Sequence, residues 1–150
     1  MRGLRLGGHP LHPALVHFPV ACWTAAPVLD GMYLLTQAPV FWQAGYVCLA
    51  TGVLMGLLAM CAGLMDLLAI PAENPAQSVA RRHMLLMGSA WTLYVLALVL
   101  HPLHGEPTPS QLWTDLGLGI GGFLTLAVGA YAGARLVYDF GIGRNPSPSP

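Results

Sequence analysis

The chain has 150 residues, of which 55% are hydrophobic and only 8% charged. Six arginines and six acids, with no lysine, give a formal net charge of zero. Soluble domains carry roughly 25% charged residues. This composition therefore excludes an ordinary soluble enzyme, a nucleic-acid binder with its basic surplus, and a disordered chain.

A mean hydropathy of +0.62 points to lipid. A membrane-spanning helix needs about 20 mostly apolar residues, and four stretches supply them. The first span covers 14–36, with His17 and Asp30 as its only acid or imidazole side chains. His12-Pro13 reads as its start. Pro19 and Pro27 lie inside it and free the carbonyls of Leu15 and Trp23, which predicts a kinked helix. The second span covers 40–70, with Asp66 near its end. The third covers 79–100 and opens on Arg81, Arg82 and His83. Asn74 and Pro75 ahead of it read as N-cap and first helical residue, with Gln77 as a capping-box partner. The fourth covers 111–134, with Asp115 near its start.

Short connections rich in Pro, Gly and Glu join the spans, and the tail 144–150 is low-complexity and reads as disordered. The first run has neither the flanks nor the length of a cleavable signal peptide. The expectation is one all-α domain over 1–143, an integral-membrane four-helix up-down bundle. Cys22, Cys48 and Cys61 form no Cys-x-x-Cys motif and read as inert buried thiols.

Four spans joined by short loops alternate in direction. Arg2, Arg5, Arg81, Arg82, Arg135 and Arg144 then all fall at the end that holds both termini. The positive-inside rule makes that end cytoplasmic. The same topology gathers His9, His12, His17, Asp66, Arg81, Arg82, His83, Arg135, Tyr138 and Asp139 there. Ionisable groups at membrane depth face the bundle interior and point to function. His17 lies about 6 Å of helical rise past Pro13, and His83 about 12 Å past Pro75. On diagonal helices they suit the two axial positions of one haem b iron, with arginines such as Arg82 and Arg135 for its propionates. His12 competes with His17 for the first position. A non-haem zinc, copper or iron site built from the same histidines with Asp66 is the alternative. A third reading is an ion-pair network with no cofactor.

The opposite end keeps Asp30, His101, His104, Glu106 and Asp115, and His101 and His104 are expected to be solvated loop residues. Gly52, Gly56, Ala59 and Gly63 in span two, and Gly117, Gly121, Thr125, Gly129 and Gly133 in span four, mark stripes for close helix packing or for a second copy of the chain. No Gly-x-Ser-x-Gly or His-Glu-x-x-His motif occurs, so an electron carrier or subunit is expected rather than a stand-alone catalyst.

The run His9-Pro-Leu-His-Pro13-Ala-Leu-Val-His17-Phe-Pro19 resembles the signature of a family of small four-span bacterial membrane proteins classed as a domain of unknown function. Gly63-Leu-Met-Asp66, Arg82-His83 and Gly133-Ala-Arg-Leu-Val-Tyr138-Asp-Phe-Gly141-Ile-Gly143 follow in the family's order. The resemblance implies a location in the bacterial inner membrane. It also implies an association with Rieske-type and other redox proteins, so a redox partner is expected. For a redox subunit, a quinone at the histidine-rich end is a further candidate partner.

Overall fold

A computed structural model describes residues 4–102 and 106–143. Arg2, His104, Arg144 and the tail 144–150 lie outside the described residues. The chain opens with a two-stranded antiparallel hairpin, β1 (Arg5–Leu6) and β2 (His9–Pro10), which pairs Arg5 with Pro10 and Leu6 with His9. Gly7 and Gly8 turn it at φ of 57° and 84°, the left-handed region that a two-residue primed turn requires.

Five helices follow: α1 (Leu11–Leu15), α2 (His17–Thr36), α3 (Pro39–Leu68), α4 (Ala76–Leu100) and α5 (Pro109–Tyr138). The expected kink in the first span reduces to an interrupted hydrogen-bond ladder at Val16, which keeps right-handed helical angles (φ −64°, ψ −21°). Pro19 is the cause, since without its amide hydrogen the Leu15 carbonyl loses its helical partner. α2 continues unbroken through Pro27. α1 starts on Leu11, with Pro10 at its N-cap.

Terminal chemistry sets the remaining boundaries. Gln37 ends α2 in the left-handed conformation, and its amide donates to Tyr33 O at 2.8 Å. Pro39 then starts α3 at the position where a missing amide hydrogen is harmless. At α4, Asn74 Oδ1 accepts from the Ala76 amide at 2.9 Å, as a capping side chain should. Gln77 does not complete the expected box and donates to Ile70 O instead, at 3.2 Å. The capping box forms at α5, where Thr108 and Gln111 satisfy each other's amides across Pro109.

The four long helices make a square. α2 packs on α3, α3 on α4, α4 on α5, and α5 back on α2, so α2 and α4 are diagonal. Each is long and apolar enough to cross a membrane. Val28, Leu35, Val47, Leu54, Leu68, Leu85, Val99, Leu124 and Val128 are exposed on the outside, an apolar jacket that water would not tolerate and lipid would.

Inside, Trp23 stacks on Tyr94 with centroids 4.8 Å apart, and the Tyr94 hydroxyl reaches Trp23 O across the diagonal at 2.9 Å. Glycines make room for these rings. A Cβ at Gly52 or Gly56 would come within 2.5–2.7 Å of Trp23, and one at Gly122 within 2.8 Å of Tyr94. The small-residue stripe of α3 is thus consumed inside the chain. The stripe assigned to span four needs correction. Steps of four residues drift round a 3.6-residue helix, so Gly117 faces open space while Gly129 is packed against α4. The buried face of α5 steps by three and four instead, through Leu112, Asp115, Gly119, Gly122, Leu126 and Gly129.

Gly56→Ala should lower stability in detergent by about 1–3 kcal/mol, because the added carbon overpacks the Trp23 ring. Gly117→Ala should leave stability unchanged or raise it by up to about 1 kcal/mol, since alanine is the better helix former and meets nothing there. Thermal unfolding followed by circular dichroism checks the pair.

Candidate functional site

α1 lies on α3, and His12 projects from it onto Gly63. A Cβ at Gly63 would sit 3.0 Å from two atoms of the His12 ring. On the other side of the bundle, α4 lays His83 on α5 in the same way, where a Cβ at Gly133 would sit 2.9 Å from the ring. His12 Nδ1 is 2.8 Å from Ala59 O, and His83 Nδ1 is 2.8 Å from Gly129 O. A carbonyl only accepts, so both rings carry their hydrogen on Nδ1 and keep the lone pair on Nε2. A backbone carbonyl on the far nitrogen is how metal-ligating histidines are commonly oriented.

The two rings approach each other edge to face, with centroids 6.3 Å apart and planes at 82°. They border one cavity of about 620 Å³, whose walls are otherwise mostly apolar: Val16, Pro19, Trp23, Met60, Met84, Met87, Leu126 and Ala130 among them. That volume lies in the usual range for small-molecule and cofactor sites.

The remaining candidates divide. His17 borders the cavity but is exposed, and its only polar neighbour is Ala14 O in its own chain turn, at 3.4 Å. Asp66 and Tyr138 line the cavity. Asp66 accepts the Leu4 amide at 3.1 Å, which ties the N-terminal hairpin to the end of α3. His9 is exposed on that hairpin. Arg81 and Arg82 are exposed and do not line the cavity, and Arg135 pairs with Asp139 at 2.8 Å on the surface. The arginines share the cavity's end of the bundle without reaching into it. No group of three or more His, Cys, Asp or Glu side chains is arranged to hold a metal ion among the described residues.

At the far end, the expectation that His101 is solvated is wrong. His101 is 3% exposed. It stacks on Trp42 with centroids 3.7 Å apart and planes at 13°, and its Nδ1 lies 2.8 Å from Asp115 Oδ2. The His-Pro pair ends α4, but the imidazole folds back between α3 and α5 to meet the buried carboxylate. Asp30 and Asp115 are buried at the same end, 2% and 1% exposed. The sequence carried a usable signal here: two aspartates inside apolar spans need a partner, and His101 and His104 were the bases at their end.

An all-helical, lipid-jacketed square with ionisable side chains held inside its two ends defines an integral-membrane four-helix bundle. The chain belongs to the family described as "Predicted membrane protein (DUF2231)", whose model matches residues 8–146. No curated protein and no solved structure matches it.

Asp115→Ala should destabilise the protein by about 3–5 kcal/mol, because it strands the buried imidazole. Asp139→Ala, which breaks only the exposed pair with Arg135, should leave the unfolding midpoint where it is. Thermal melts of both variants in the same detergent test this contrast.

Proposed function

We propose that this protein is a haem-binding electron carrier or redox subunit of the membrane, in which His12 and His83 would hold the haem iron. The observation that carries this reading is the pair of imidazoles on one apolar cavity, each anchored through Nδ1 and each free at Nε2. With their centres 6.3 Å apart, the two imidazoles would be close enough to hold one group between them. A donor set of two imidazoles suits a metal whose other ligands come from a macrocycle. It suits a protein-only zinc, copper or iron site less well, since those take three or four side chains. Gly63 and Gly133 fit the reading too, because they let both rings sit against the helix backbones and leave the space between them clear.

A bound haem would supply one-electron transfer. The chain's own residues would hold the imidazole tautomers and surround the group with methionine, leucine and tryptophan walls. His12 replaces His17 as the ligand on the first span. Arg81, Arg82 and Arg135 keep a role at the membrane surface, where their shared end supports a cytoplasmic placement of both termini in a bacterial inner membrane. A redox protein, or a quinone, would meet the cavity at that end.

The test is an absorption spectrum of protein purified from haem-replete cells, with and without dithionite. A Soret band is expected for the wild type and for His17→Ala. His12→Ala and His83→Ala should each lose it or convert it to a high-spin form. A wild-type protein with no Soret band would overturn the reading and leave a cofactor-free subunit.

A further inference from the structure

Asp30 on α2, His101 at the end of α4 and Asp115 on α5 meet in the half of the bundle remote from the His12–His83 cavity. All three are at least 97% buried, and the cluster plays no part in the proposed haem site. Asp115 has His101 at 2.8 Å. Asp30 interacts electrostatically with both. Gly45 of α3 lies against the Asp30 carboxyl, where a Cβ would come within 3.0 Å of Oδ1.

Among the described residues, the other groups in contact with the cluster carry no charge. Trp42 stacks on His101, Tyr46 lies 5.7 Å from it, and Tyr33 sits against Trp42 at 5.6 Å. Every described arginine belongs to the opposite end, on the hairpin, at the start of α4 or at the end of α5. One imidazolium at most therefore faces two carboxylates. Fully ionised, the cluster keeps one uncompensated negative charge where lipid and packed rings exclude water, an arrangement that buried charge strongly disfavours. Its hydrogen bonding is also incomplete, since Asp30 Oδ1, Asp115 Oδ1, His101 Nε2 and the Trp42 indole Nε1 are buried with no partner.

We propose that Asp30, His101 and Asp115 form a buried proton-binding centre, whose ligand is one proton beyond the one the imidazole itself carries as imidazolium. The proton resides on Asp30, the carboxyl without a base at hydrogen-bond distance, and the His101–Asp115 pair carries the opposed charges. The centre is then neutral as a whole and turns an orphan acceptor into a donor. It gives the bundle a proton acceptor and donor at the end remote from the cavity, and it stands whether or not haem binds.

Infrared difference spectroscopy of the full-length protein in lipid nanodiscs tests this. At pH 7 the wild type should show the C=O stretch of a neutral, buried carboxylic acid, shifted in D2O. Asp30→Asn should lose that band, and Glu73→Gln, on the loop at the other end, should keep it. If Asp30→Asn fails to fold, the wild-type protein with 13C-labelled aspartate decides, because the band must then shift with the label. Absence of a neutral-acid band at pH 7, or a band that survives Asp30→Asn or ignores the aspartate label, overturns the proposal. So does a band absent in sodium buffer that appears when sodium is removed, since a cation would then occupy the place given to the proton.

Discussion

Flat rings laid on glycine are the contact on which this bundle depends. Lipid tails give apolar helices no reason to leave lipid for one another, so association rests on close packing and on the few polar groups that need a partner. Here both needs are met by one device. Trp23 covers Gly52 and Gly56, Tyr94 covers Gly122, His12 covers Gly63 and His83 covers Gly133. Each contact brings a ring against a helix backbone, and in three cases the ring also donates to a carbonyl: Tyr94 to Trp23 O, His12 to Ala59 O and His83 to Gly129 O. Without Cβ atoms in the way, imidazoles approach the carbonyls that orient them.

The sequence shows the spans plainly because the lipid requirement is crude. Twenty apolar residues, a proline or capping side chain at the start and a short polar loop suffice to mark a span. The gathering of histidines at one end was equally legible, since alternating direction follows from four spans and short loops. The different surroundings of His12 and His17 were misread. Five residues at about 100° each turn the second ring about 140° round the helix from the first, so His12 lies on α3 while His17 is exposed.

Two further misreadings have similar local causes. A histidine followed by proline at a helix end has every mark of a loop residue, and only the buried carboxylate of Asp115 draws His101 inward. The glycines of span four recur at a spacing that looks helical in the sequence, yet each step of four overshoots the full turn. The row therefore winds from lipid at Gly117 to the core at Gly129. The opposite case is the hairpin: adjacent glycines at 7 and 8 are a readable turn signal, masked by the expectation that everything in the chain is helix.

The two ends of the bundle use the same side chain for opposite purposes, and the anchor decides which. At the cavity end each imidazole is held by a backbone carbonyl, a neutral acceptor that fixes the hydrogen on Nδ1 and leaves the other nitrogen with its lone pair. Such a ring is suited to bind something placed in the cavity. At the far end the imidazole lies against a carboxylate and stacks on Trp42. Between them lies the Trp23–Tyr94 stack, which fills the middle of the bundle and separates the apolar, histidine-lined cavity from the packed acidic cluster. A chain with so few charges has thus spent its buried imidazoles and carboxylates on two separate chemistries, each confined to its own half of the bundle.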